Sequence, residues 1–137
     1  MRLYELTREQ QRAFMVLARQ VVAADDRLAM SEVEGLDLLY REMELPAADA
    51  GEPGDALDLN YLFDTPRARA VVLLNLLLLA HTDGAGQEER EVIHRTADRL
   101  DVEPEALAAM EAWADRYMAL VGEVDGFYGH EEGADEG

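Results

Sequence analysis

The sequence predicts an all-α fold: a compact helical bundle built from two related helical hairpins plus a closing C-terminal helix. Three observations support this prediction. Helix-start signals recur along the chain, the apolar residues behind them follow helical spacing, and no segment alternates strongly enough to argue for a sheet. A chain of 137 residues with 49% hydrophobic residues is most simply a single domain with a substantial core.

Two capping boxes mark the first hairpin. In the first box, Thr7 is the predicted N-cap, and Gln10 is the N3 residue whose side chain accepts from the N-cap backbone N–H. Ser31 and Glu34 form the second box in the same way. Apolar residues follow each box at helical spacing, and Pro46 ends the second helix or lies just beyond its end. Residues 46–56 are rich in Ala, Gly, Pro and acids, which is typical of a loop, and an apolar patch at 57–63 predicts a short helix.

The second hairpin begins with Thr65-Pro66, an N-cap followed by proline at the first helical position. The predicted helix continues to about Thr82 through the apolar run Ala70–Ala80, which only Asn75 interrupts. This run is half the length of a membrane span, so it predicts a buried core helix. A turn at 83–87 then leads into a helix from about Glu88 to Leu100.

Pro104 opens the last predicted helix, whose apolar face includes Leu107, Met110 and Tyr117. Beyond Gly122 the sequence holds six acids, several glycines and no arginine. Such a composition cannot bury enough apolar surface to offset the entropy of ordering. We therefore predict a helical domain at residues 1–122 and a disordered acidic tail at 123–137.

The two hairpins are predicted to be copies of one unit, because an offset of 57 residues aligns them. At this offset Phe14 aligns with Val71 and Met43 with Leu100, and other apolar residues between these positions also align with each other. The acids also match: Asp26 falls on Asp83, Glu32 on Glu89 and Glu34 on Glu91. Shared helical periodicity explains the apolar matches better than it explains the common Asp-x5-Glu-x-Glu spacing.

Charge and missing residue types exclude several function classes. The formal charge is −18, which opposes binding to nucleic acid or to an anionic membrane and favours divalent cations or a basic protein surface. The chain has no Cys, and all twelve of its basic residues are Arg. Thiolate catalysis, Cys-ligated metals, Schiff-base chemistry and the P-loop lysine are therefore excluded. Without a clean apolar signal sequence or a span-length run, the sequence predicts a cytoplasmic protein.

The segments "VVAADDRLAMSEVEGLDLLYREM" and "LLLLAHTDGAGQEEREVIHRTADRL" resemble the signature of the tellurite-resistance TerB-like family. In this signature an Ala-rich apolar helix leads into an Asp-Gly turn and an acidic helix start. The resemblance covers residues 14–100. It implies a compact all-helical, non-enzymatic domain associated with tellurite resistance and stress responses, with acidic clusters proposed to bind divalent metal.

The resemblance places a candidate metal site in each unit. Asp83 and Gly84 match the Asp-Gly turn, and Glu88 or Glu89 matches the acid that follows, with Glu91 as a further candidate. The first unit departs from the pattern, because no glycine follows either aspartate. Its candidate ligands are Asp25, Asp26, Glu32 and Glu34. Sites made only of oxygen ligands suit Ca²⁺ or Mg²⁺ better than softer metals.

Three alternatives to a cation site remain open. Each acid in a first helical turn is also explained by helix capping and the helix dipole. A metal-independent acidic module that binds a basic protein surface is the second interpretation. More generally, the sequence predicts a protein partner with a basic or metal-bridged surface, and it is compatible with a homodimer. A carboxylate di-metal enzyme is the third. Glu91-x-x-His94 is half of a di-iron signature, but the repeat places Asp37 where a second histidine is needed.

Overall fold

A computed structural model describes residues 2–24, 30–44, 58–81 and 86–128, with side chains omitted for 30–35. A short 3-10 helix at Leu3–Glu5 precedes six α-helices in this part of the chain. They are listed here in order: α1 (Arg8–Ala23), α2 (Met30–Met43), α3 (Leu59–Leu62), α4 (Pro66–His81), α5 (Gln87–Arg99) and α6 (Pro104–Phe127). The described residues contain no strand, and the predicted all-α fold is confirmed.

Helix α4 is the central element of the bundle. It packs against α1, α2, α5 and α6, and α1 also contacts α2 and α5. This position explains why residues 70–80 lack a polar face. Leu73, Leu76 and Ala80 are fully buried, and the buried Asn75 donates from its side-chain amide to the Val71 carbonyl, 2.8 Å away. The interpretation of the apolar run as a core helix is confirmed.

Local capping fixes the starts of α1 and α4 as predicted. The Gln10 N–H donates to Thr7 Oγ1 over 3.1 Å, and the Thr7 N–H donates to Gln10 Oε1 over 2.9 Å, which completes the capping box. The Ala68 N–H donates to Thr65 Oγ1 over 3.1 Å, with Pro66 at the first helical position. Each hydroxyl satisfies a backbone donor that has no partner inside the helix.

Two helix boundaries differ from the predictions. Helix α2 already includes Met30, so Ser31 lies inside the helix and is not its N-cap. Helix α6 continues through Gly122 to Phe127, so the predicted boundary between domain and tail falls within a helix. Glycine weakens a helix by about 1 kcal/mol but keeps its backbone donor, so it need not end one. Residues 129–137 of the predicted tail lie outside the described residues.

The ends of α2 and α5, which the sequence assigns to the two predicted hairpins, share features at the offset of 57 residues. Glu44 follows α2 and Asp101 follows α5, and both have left-handed backbones, with φ of 56° and 59°. The residues before them, Met43 and Leu100, are both buried in the core. Such a left-handed residue is a common way to end a helix, and it brings the last apolar side chain back onto the bundle. The relation between the hairpins by an internal repeat stays a prediction.

Candidate functional site

The predicted metal centre lies where α4 ends and α5 begins. Residues 82–85, including Asp83 and Gly84, are outside the described residues. Gly86 precedes α5 with an extended backbone, and Glu88 and Glu89 occupy the first turn. The backbone N–H groups of a first helical turn favour nearby negative charge, so both glutamates stabilise the helix at this position.

Glu89 is the one candidate ligand whose described side chain is buried, with 3% of its surface exposed. Its Oε1 accepts a hydrogen bond from the Gly86 N–H over 2.9 Å. Its Oε2 is also buried and has no hydrogen-bond partner among the described residues. Capping therefore accounts for one oxygen of this carboxylate and leaves the other unexplained. A buried polar atom without a partner costs about 1–3 kcal/mol, and more when it belongs to a charged group.

The burial of Glu89 follows from its place on α5. The buried face of this helix includes Val92, Ile93 and Thr96. Glu89 lies three and four positions before Val92 and Ile93, so it belongs to the same face. This spacing is a sequence signal that could have distinguished Glu89 from its neighbours, which the prediction treated as equal candidates.

The other α5 candidates do not converge on Glu89. Glu88 and Glu91 are both exposed. At about 100° per residue, they lie about 100° and 160° away from Glu89 around the helix axis. No group of three His, Cys, Asp or Glu side chains in the described residues is placed to hold a metal ion. Of the candidates in this unit, Asp83 is the one that lies outside the described residues.

The second predicted cluster is only partly within the described residues. Asp25 and Asp26 lie outside them. Glu32 and Glu34 are in the first turns of α2, but their side chains are not among those described. The geometry of this cluster therefore stays a prediction.

Helix α6 forms two histidine–carboxylate pairs that the sequence reasoning missed. His81 Nε2 lies 3.1 Å from Asp115 Oδ1, and His94 Nε2 lies 3.0 Å from Glu111 Oε2. Glu111 and Asp115 are one helical turn apart, so they share a face of α6. In the Glu91-x-x-His94 motif, the Nε2 atom of His94 therefore contacts Glu111 of α6.

His81, Glu111 and Asp115 line a cavity of about 180 Å³ between α4, α5 and α6, and Arg90 is also in its wall. A larger cavity of about 350 Å³ lies between α1 and α5, and the described residues of its wall include Arg95 and Arg99 but no carboxylate or histidine.

No family model, curated protein or solved structure matches the chain. Within the described ranges, every helix falls short of the length or apolarity that crossing a membrane would demand.

Proposed function

We propose that this chain is a non-enzymatic, TerB-like stress-response domain that binds a divalent cation at the start of α5. The observation that supports this proposal is the buried Oε2 of Glu89, for which the described part of the chain provides no hydrogen-bond partner. A bound cation would supply the missing partner. The duplicated Asp-x5-Glu-x-Glu spacing and the charge of −18 also favour a cation over an anion.

In this proposal Glu89 and Asp83 provide the protein ligands closest to the ion. Glu88 would contribute a carboxylate oxygen from the solvent side of the ion. Glu91 would add negative charge without contacting the ion directly. Carboxylate oxygens are typical ligands of Ca²⁺ and Mg²⁺, which also accept water as ligands. Asp25, Asp26, Glu32 and Glu34 would form the equivalent site of the first hairpin. The association with tellurite resistance and a cytoplasmic location belong to the same proposal.

A thermal melt tests the cation proposal directly. Wild type and an Asp83→Asn, Glu89→Gln variant are melted in chelator, Mg²⁺ and Ca²⁺ at fixed ionic strength. A ligand that binds only the folded state stabilises it by about 2.7 kcal/mol at a hundredfold excess over its dissociation constant. We expect that gain in the wild type and its loss in the variant.

The matched control is an Asp98→Asn, Glu123→Gln variant, which removes the same charge from two exposed positions. The control keeps the proposed site, so it should respond to the cation as the wild type does. Salt screening stabilises any strongly acidic chain, and the matched charge makes this contribution equal in the two variants. Equal shifts in all three proteins would mean screening alone and would refute the cation site.

A metal-independent acidic interaction module is the second candidate function. It is favoured by the net charge and by the exposed large apolar residues of α6, among them Leu120 and Phe127. In that case the first-turn acids serve as helix caps and as a surface for a basic partner. A cation would then leave the melting curve unchanged beyond screening, while partner binding persists in chelator.

A further inference from the structure

The second half of α6 presents an apolar stripe that no described element covers. The stripe consists of one partly buried and five exposed residues, listed here: Tyr117, Leu120, Val121, Val124, Phe127 and Tyr128. At about 100° per residue these side chains occupy an arc of about 120° around the helix axis. The opposite side of this segment holds Ala119, Gly122 and Gly126. The segment therefore has its large apolar side chains on one face, and that face is in solvent.

The stripe continues the surface by which α6 docks onto the bundle. In the first half of α6, Leu107 and Ala114 are buried, and Met110 and Trp113 pack against the core. Tyr117 joins the two halves, since its ring stacks on Trp113 with centroids 5.3 Å apart. Apolar residues spaced by three and four along a helix are the seam that a second helix covers. The first half of α6 has such a neighbour in α4, and the second half has none among the described elements.

This patch differs from the other exposed apolar residues. Tyr4, Leu38 and Tyr61 are exposed singly on three different elements, which is normal for a soluble protein. The five exposed residues of the stripe lie within two and a half turns of one helix. Contiguous exposed apolar surface with a polar border is typical of an interaction site.

Charge identifies the kind of partner. Glu123 and Asp125 lie about 40° beyond the two edges of the stripe, one on each side. Arg116 is the last basic residue of the sequence, and four more acids follow after residue 128. A second copy would bring acid against acid at both edges and add another −18 of charge. A helix with basic residues beside its own apolar seam would instead pair with Glu123 and Asp125.

We infer that the apolar stripe of α6 binds a cationic amphipathic helix of another protein, with its apolar seam against the stripe and its basic residues against the flanking acids. The partner helix would extend the bundle beyond the end of α4. This inference goes beyond the cation site and does not depend on it. It is therefore tested in chelator, where failure of either proposal leaves the other standing.

The probe is a labelled Leu/Lys peptide of about 18 residues, which forms about five helical turns with one leucine face. Fluorescence anisotropy measures its dissociation constant from the full chain at physiological ionic strength. A Leu/Glu peptide with the same face and a Leu/Lys peptide with scrambled order serve as comparison ligands. We expect the amphipathic Leu/Lys peptide to bind at least tenfold more tightly than either.

Two double variants locate the binding surface. The Leu120→Ser, Phe127→Ser variant should bind the Leu/Lys peptide at least tenfold more weakly than the wild type. Leu38→Ser with Tyr61→Ser removes equally large, equally exposed apolar groups on α2 and α3, and it should leave the dissociation constant unchanged. Because all four side chains are exposed, both variants should keep the helical content of the wild type, which circular dichroism checks.

Three outcomes would overturn the inference. Equal binding of the scrambled peptide would show attraction by net charge alone. Equal effects of the two double variants would show that the stripe is not the surface involved. Sedimentation equilibrium of the wild type provides the third test: a dimer that the stripe variant dissociates would assign the stripe to a second copy of the chain.

Discussion

The carboxylate of Glu89 reaches back to the backbone of Gly86, whose N–H donates to Glu89 Oε1 over 2.9 Å. This contact orients the side chain at the start of α5. It also leaves Oε2 buried, with no hydrogen-bond partner in residues 2–24, 30–44, 58–81 and 86–128. Capping and cation binding are thus not exclusive for this residue, because each would use a different oxygen.

Single substitutions should separate Glu89 from its exposed neighbour. Glu89→Gln keeps an oxygen that can accept from Gly86 but removes the charge, so we expect it to abolish calcium binding measured by calorimetry. Glu88→Gln changes an exposed side chain and should weaken binding only a few fold. Equal losses in the two variants would indicate a diffuse acidic surface instead of a site organised around Glu89.

The Thr7 cap should be worth about 1 kcal/mol of unfolding free energy. Thr7→Ala removes the hydroxyl that accepts from the Gln10 N–H, and such losses cost about 0.5–2 kcal/mol. Thr7→Ser keeps the acceptor and is the matched control. Urea unfolding of the three proteins measures the difference, and a Thr7→Ala protein as stable as Thr7→Ser would contradict the capping role.

Local signals predicted the helices well because their causes are local. Thr7, Thr65 and Pro66 act on backbone groups within one turn, and the apolar run of α4 follows directly from burial on all sides. The pairs His81–Asp115 and His94–Glu111 were not predictable in this way. They depend on how α6 crosses α4 and α5, which helical spacing within one element does not determine.

The candidate site shows the same limit. First-turn position predicted that Glu88, Glu89 and Glu91 are near a helix N-terminus, but it did not separate them. Their different exposure depends on which face of α5 packs inward. The end of α6 was missed for a related reason, since glycine and acid content indicated a tail although apolar spacing persisted to Tyr128.

Glu5 should make stability fall in strongly acidic solution. Hydrogen bonds from Arg67 and Arg2 lower the pKa of Glu5 from 4.5 to about 2. Arg67 Nη2 lies 3.0 Å from one carboxylate oxygen, and its Nε contacts the other. Because the folded-state pKa is depressed, the ionised carboxylate stabilises the fold above pH 4.5, and this contribution is lost as the pH falls through about 2.

Two variants test this assignment. Glu5→Gln should lose less unfolding free energy than the wild type between pH 4.5 and pH 2. Arg67→Met should move the NMR titration midpoint of the Glu5 carboxyl back up towards 4.5. A midpoint near 4.5 in the wild type would show that the ion pair does not persist in solution.

The same leucine-to-alanine substitution should cost much more unfolding free energy in the core than in the stripe. Leu76 is fully buried in α4, whereas Leu120 is 58% exposed in α6. Leu76→Ala should cost about 2–5 kcal/mol, because it removes buried methyl groups and leaves a cavity. Leu120→Ala should stay within about 0.5 kcal/mol of the wild type. A large loss from Leu120→Ala in urea unfolding would mean that the stripe already has an intramolecular partner.

Alanine at Gly122 and Gly126 should order the end of α6 without stabilising the bundle. A Cβ at either position meets no atom within 4 Å, so the substitution causes no clash. Replacing glycine by alanine inside a helix favours the helical state by about 1 kcal/mol per site. Residues 119–128 are exposed throughout, so their local opening should not require the core to unfold. We therefore expect slower amide hydrogen exchange at 119–128 and an unchanged melting temperature.

Ala119→Gly is the converse control and should speed exchange in the same segment. A rise of several degrees in the melting temperature of the Gly122→Ala, Gly126→Ala protein would show instead that the end of α6 unfolds together with the core.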